Sequence, residues 1–347
     1  MDDKLLTQRD KKILTSLINE YILTAEPVGS RKIARKYNIN LSSATIRNVM
    51  SDLEEMGLLQ QPHTSAGRVP TEKALRFYVN SILKVKRLNP MEKKSIRERY
   101  KFSELETSAA IKQTSEVLSV LSHHVGIVSA PKIIGTVLKH IEFIKINRDR
   151  ILVIFVSQSG FIQNRIIEDH DNISQDELNK CTNYLNETLV GISLEEVRKK
   201  IEEEMKKEKI IYDQLSSKAL QLGKAALAKE TARELYMEGQ INLLECPEFS
   251  EVEKMRALFH ALEEKNLLLS LLDKTNEAEG IQIFIGSEVE LSDMQHCSVI
   301  TSPYHHGRNI VGALGIVGPT RMDYLKLIPI VEYSAQLVTE FLNAEFR

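Results

Sequence analysis

Glu26-Pro27-Val28-Gly29 and Asn38-Ile39-Asn40 cut the N-terminal region into short helix-patterned stretches, and that punctuation constrains the fold more than any other feature of the chain. Before the first break, Ile13, Leu14, Leu17, Ile18, Tyr21 and Ile22 recur at helical spacing from Thr7 to about Leu23, with Thr7 and Asp10 suited to start the helix. Pro27 biases Glu26 away from the helical region, and Gly29 loosens the chain. Ser30 then reads as the cap of a helix through Arg31-Lys32-Ile33-Ala34-Arg35-Lys36-Tyr37. Ser42 or Ser43 caps a third, in which Ile46, Val49, Met50 and Leu53 form one stripe and Gly57 stands where the helix should end. Leu58–Pro62 and Val69–Pro70 read as short strands around the loop His63 to Arg68. Three helices and a small hairpin with a basic tip predict a winged helix-turn-helix. Thr71 caps a further amphipathic helix to about Lys86, and Lys84–Pro90 reads as its exit and a linker.

Charge separates this region from the rest. Of 46 Lys+Arg and 48 Asp+Glu, 15 and 9 lie in residues 1–90, a net of +6; the remainder carries 31 against 39, a net of −8. A basic module on an acidic body suits a protein that docks one end on DNA, where released counterions drive binding. With 42% hydrophobic and 27% charged residues and no apolar run long enough to span a bilayer, the body predicts a soluble multidomain protein with no membrane role. The N-terminus lacks the pattern of a secretory signal, so the expected location is the cytoplasm. Cys181, Cys246 and Cys297 lie far apart without a C-x-x-C pair and read as reduced packing residues.

Met91–Ser122 is helix-patterned. Val137–Ile146, Ile151–Val156 and Gly160–Ile167 are rich in Ile, Val and Phe, with turn-like segments between them, and predict an antiparallel meander. Ser174–Asp273 returns to helical patterning, and β-type residues resume at Ile281–Ile285, Ser298–Ser302 and Asn309–Val317. Arg321–Phe346 predicts a closing helix, kinked or restarted at Pro329. Strands interrupted by helices and then resumed imply one α+β domain carrying an inserted one.

The chemistry concentrates in the third helix. Its apolar stripe turns Ala44, Arg47, Asn48 and Ser51 outward, where Arg can pair with guanine and Asn with adenine. Ser42, Ser43 and Thr45 stand near its N-terminus, suited to phosphate or a base edge. Ser30, Arg31 and Lys32 open the second helix and suit backbone contacts that set register, while Arg35 and Lys36 fit plain surface charge equally well. His63 and Arg68, with Gly67, belong to the wing and could reach phosphates or the minor groove. Arg47, Asn48 and the wing residues read alternatively as solvated surface. Gly312, Gly315 and Gly318 lack the spacing of a phosphate-binding loop and suit tight strand packing. His123-His124 and His305-His306 are neighbouring pairs that diverge rather than converge on a metal, and surface positions are expected. No catalytic constellation, metal site or cofactor is expected.

Glu26-Pro27-Val28-Gly29-Ser30, Ser42-Ser43-Ala44-Thr45-Ile46-Arg47-Asn48, Gln61 through Thr71, Arg76-Phe77-Tyr78-Val79 and Gly312 through Tyr324 together resemble the signature segments of the HrcA family of heat-inducible repressors. The resemblance implies a winged helix-turn-helix over residues 1–88, a GAF-like α+β domain over 89–172 and 279–347, and a mostly helical dimerisation domain inserted at 173–278. It implies a homodimer that binds double-stranded DNA at an inverted-repeat operator, the CIRCE element. That dimer would repress chaperone operons of the GroEL/GroES and DnaK type, be released on heat shock, and be kept active by the GroE chaperonin. A metabolite-sensing regulator, with a ligand held by the GAF-like domain, is the alternative.

Overall fold

The computed structural model describes residues 6–37, 39–63, 66–83, 85, 87–102, 106–131, 137–158, 162–193, 196–197, 199–203, 214–227, 234–278 and 280–345. Helix α1 (Gln8–Thr24) begins in a reciprocal cap, Asp10 N–H donating to Thr7 Oγ1 at 3.2 Å and Thr7 N–H to Asp10 Oδ2 at 3.0 Å. α2 (Ser30–Lys36) starts from Gly29 and not from a Ser30 cap, because Val28 is tied in a two-way backbone bridge to Arg68 and the chain turns into the helix directly after it. α3 (Ser43–Glu55) is capped by Ser42, whose Oγ accepts from Thr45 N–H at 3.1 Å; past its end Gly57 takes φ +71°, a value that suits glycine. β1 (Leu59–Gln60) and β2 (Val69–Pro70) pair antiparallel as the wing. Ile13, Leu14, Leu17, Ile18, Ile33, Ile46 and Leu58 are fully buried, so the periodicities of the three helices meet in one small core.

α1 and α2 are also held by charge. The Glu20 carboxylate is buried and accepts from Lys36 Nζ at 2.6 Å and Tyr37 Oη at 3.0 Å, with Lys32 Nζ 3.0 Å away. Lys36 above all, with Lys32 and Tyr37, outweighs the cost of burial and lowers its pKa to about 2. α4 (Glu72–Phe77) follows the wing, capped by Thr71, and opens into a wide turn over Tyr78–Ile82 closed by Leu83 N–H to the Tyr78 carbonyl at 2.8 Å. The helix expected to run to Lys86 therefore stops at Ile82; Lys84 and Lys86 lie outside the described residues.

Beyond the head, α5 (Pro90–Arg97) and α6 (Thr107–Ser122) replace the single helical stretch expected there, and β3 (Val125–Ser129) follows with every residue buried. The chain then forms two compact units. One takes in everything up to Ser129 with Leu235–Tyr304 and Gly312–Val338; the other is Ala130–Glu234 with His305–Val311 and the residues from Thr339 on.

In the second unit, β4 (Leu138–Asn147), β5 (Arg150–Ser157) and β6 (Ile162–Glu168) make the expected meander. One face, with Ile141, Phe143, Val153, Phe155 and Ile167, packs on α7 (Gln175–Leu189) and α8 (Gln214–Leu227) through Leu178, Leu185 and Leu220. The meander is a separate sheet and does not join the C-terminal strands. The sequence reading set a mostly helical insertion at 173–278; the compact unit here takes Ala130–Glu234 with two later segments, and within Ala130–Glu234 a three-stranded sheet stands beside the helices.

In the first unit, β7 (Leu235–Glu238) pairs with β3, and α9 (Val252–Glu263) and α10 (Lys265–Glu277) precede β8 (Gln282–Ile285), β9 (Cys297–His306) and β10 (Asn309–Pro319). The sheet order is β7-β3-β10-β9-β8, which counted along its own strands is 2-1-5-4-3, a GAF-like arrangement. Leu258, Leu262, Leu268 and Leu272 cover it against Val125, Ile127, Val299 and Val317. Gly312 is required by close approach: a Cβ there would stand 2.3 Å from Tyr304 Oη, which donates to the Ser129 carbonyl at 2.6 Å. α11 (Tyr324–Glu345) runs through Pro329 and packs Ile330, Tyr333 and Leu337 on Ile96. His124, expected at the surface, instead lies against Gly318, and burial lowers its pKa to about 4. The three cysteines are free and buried. Among the described residues, no helix is long and apolar enough to cross a membrane.

Replacing Glu20 with Gln should lower stability at pH 7 by about 1.5–3 kcal/mol, the range for a hydrogen bond to a charged group. Because the folded carboxyl titrates near 2 and its ordinary value is 4.5, the stabilisation is present above 4.5 and is lost as pH falls through that window. Urea melts at pH 7 and pH 3 check this; an equal difference between the two proteins at both values would rule the clamp out.

Candidate nucleic-acid interface

On α3 the buried stripe Ile46, Val49, Met50 and Leu53 leaves Ala44, Arg47 and Asn48 exposed and Ser51 half-exposed, one continuous strip at helical spacing. Among the described residues neither Arg47 nor Asn48 makes an ion pair or side-chain hydrogen bond, so both keep their donors for a partner. The far half of the helix carries Asp52, Glu54 and Glu55, which repel phosphate. The N-terminal half is thus the half that can enter a groove. Ser42 and Thr45 are engaged with each other, Oγ to Oγ1 at 2.9 Å, as part of the cap, and Ser43 is half-buried beside them.

The structure redistributes the other expected contacts. Arg31 is exposed at the start of α2, and Ser30 is half-buried. Lys32 is exposed on one side but sits 3.0 Å from Glu20, so part of its charge is already matched. His63 is exposed where the wing turns. Arg68 is not at the tip: its backbone bridges Val28, and its side chain, 17% exposed, donates from Nε to Glu54 Oε2 at 2.8 Å. It joins the wing base to the end of α3. A Cβ on Gly67 would lie 2.4 Å from the Val28 carbonyl carbon, so glycine is what lets the wing close on the start of α2. Sequence reasoning missed the roles of Glu20 and Glu54; for Glu20 the available signal was an acid set between the apolar residues of α1, and Glu54 gave none within its run of acids.

The family model described as the winged helix-turn-helix transcription repressor, HrcA DNA-binding, matches residues 5–83, and that of the HrcA protein C terminal domain matches residues 108–328. The heat-inducible transcription repressor HrcA of Geobacter sulfurreducens is 51% identical over 340 residues, covering 98% of this chain and 99% of that protein. The protein of that name from Syntrophobacter fumaroxidans is 43% identical over 97% of this chain and 98% of its own. A solved structure described as a hypothetical protein has a TM-score of 0.64 at 23% identity, covering 98% of this chain and 99% of that one, which is a likeness of fold.

Arg47→Ala and Asn48→Ala should each weaken binding to a specific operator by about 1–3 kcal/mol and leave random-sequence binding nearly unchanged. Equal losses on both DNAs would remove them from base reading. Arg68→Ala should weaken binding without changing its salt dependence, since Glu54 already balances the charge; a slope reduced by about one phosphate contact would show Arg68 on the DNA.

Proposed function

The chain belongs to the HrcA family of heat-inducible transcription repressors, and on that premise we propose that it closes chaperone operons of the GroEL/GroES and DnaK type by binding an inverted-repeat operator as a homodimer. The observation that carries the DNA-reading part is the free Arg47 and Asn48 pair on the exposed strip of α3, with the wing fixed beside it. Ser42, Ser43, Thr45 and Ser51 border that strip, Ser30, Arg31 and Lys32 approach the phosphates from α2, and His63 approaches them from the wing. DNA binding of this kind places its work in the cytoplasm.

For the dimer, the outer face of the β4-β5-β6 sheet is the support. Cross-strand rows there are Ile144, Leu152 and Ile166, then Glu142, Ile154 and Asn164, then His140, Val156 and Ile162. Ile144, Ile162 and Ile166 are exposed large apolar side chains. An open apolar sheet of this kind suits burial against its own copy, two sheets packing face to face about a two-fold axis. The GroE chaperonin enters the reading through folding: Leu314 pairs with Val128 and Met237 with Ile127 across long stretches of chain, and such non-local pairing is slow and leaves apolar strands exposed. Repression would then fail when heat-damaged proteins occupy the chaperonin. The metabolite-sensing alternative would have to place a ligand against a sheet where Tyr304 and, from α11, Tyr324 are fully buried and the Gly312 face is closed by Tyr304.

Footprinting on chaperone promoters at fixed salt, with protein refolded with and without chaperonin and ATP, tests the function; protection of unrelated promoters alone would contradict it. Ile166→Lys should give a folded monomer at micromolar concentration in sedimentation, with operator affinity falling to that of a single half-site. A dimer that survives this substitution would move the interface elsewhere.

A further inference from the structure

Among the described residues, two sets of polar contacts fasten the DNA-binding head to the GAF-like core. At the first, Arg321 donates from Nη1 to the Ile22 carbonyl at the end of α1 at 3.0 Å while paired with Glu248. The second is a reciprocal clasp between α4 and the turn after β8. Arg76 donates from Nε to Glu288 Oε1 at 2.8 Å, from Nη2 to the other carboxylate oxygen, and from Nη2 to the Ile283 carbonyl at 2.5 Å. One turn earlier on the same face of α4, Glu72 accepts from Ser287 N–H at 3.1 Å and from Ser287 Oγ–H at 2.7 Å. Glu288 is itself positioned by the Ile285 N–H at 2.9 Å. The turn is shaped to receive Glu72: Gly286 has φ +56°, and a Cβ on it would lie 2.1 Å from Glu72 Oε1.

We infer that Glu72 and Arg76 are positioning residues that fix the heading of the DNA-reading helix relative to the core, and thereby set the half-site spacing the repressor accepts. The argument is geometric. One hold, at Arg321, leaves the head free to pivot; a second on a different element removes that freedom. α4 follows β2 after the single residue Thr71, and β2 leads on from the wing base, which Arg68 ties to α3. The clasp therefore reaches the recognition helix through short covalent and ion-paired links. The bidentate fork and the two hydrogen bonds to Ser287 define a direction, which a lone point charge would not. Two heads held in fixed directions gain from the second half-site only when its spacing matches, whereas heads on loose tethers gain less at the best spacing and tolerate more error.

The inference rests on the proposed reading of a dimer on an inverted repeat, and its test separates the two. Full-length protein carrying Gly286→Ala or Glu288→Gln, substitutions on the core side that leave the head sequence intact, is titrated with three kinds of duplex. These are a single half-site, the native operator, and operators with the spacer changed by about one or two base pairs. Glu288→Gln keeps size and backbone, and so guards against a failure of Gly286→Ala to fold. The expected result is unchanged half-site affinity, a loss of about tenfold on the native operator, and a flattened dependence on spacing. Spacing profiles identical to that of the unsubstituted protein would overturn the inference, as would a half-site affinity that falls in step with the operator. If the unsubstituted protein binds the full operator no better than one half-site, the dimeric reading itself fails, and the inference with it.

Discussion

Strand β3 has five consecutive buried residues, Val125–Ser129, and a buried backbone must find all its hydrogen-bond partners inside the protein. Those partners come from far along the chain: β7 on one side and β10 on the other. Everything between Ser129 and Leu235 must therefore leave the sheet and come back to it. The neck of that excursion is closed by Ala130 N–H donating to the Glu234 carbonyl at 2.7 Å. The insertion can fold around its own core, Phe143, Val153, Leu178 and Leu185, because it takes no strand from the sheet it interrupts.

This pairing also explains where the sequence could be read and where it could not. The head was legible because its helices are amphipathic and its breaks carry Pro and Gly; Thr7, Asp10, Ser42 and Thr71 all act as caps. The meander and the C-terminal strands were legible as strands, from their β-branched residues. What pattern alone does not contain is which strands pair. β3 is a five-residue run directly after a helix, and β7, Leu235-Tyr236-Met237-Glu238, is short and follows a long helix-patterned region. Without those two, the meander looked like the first half of the core sheet, and the boundary of the insertion moved accordingly.

At the DNA face, the direction in which Arg47 and Asn48 point followed from the stripe opposite them. The placement of Arg68 did not, since its partner Glu54 lies on another element and only the fold brings them together. A charge read along the chain is a count; in space it belongs to whichever partner the packing supplies.

Glu20 shows what this does to the head as a polyelectrolyte. Two of the lysines on the basic module share a buried counter-charge with a very low proton affinity, so they carry a built-in neutralising ion at every physiological pH. Fewer condensed cations need be released from DNA than the 15 Lys and Arg of the first ninety residues suggest, and attraction to arbitrary sequence is weaker for the same number of bases read. A genome is overwhelmingly non-operator. Shorter stays on it leave more of a scarce repressor available to refill its own sites after each round of transcription.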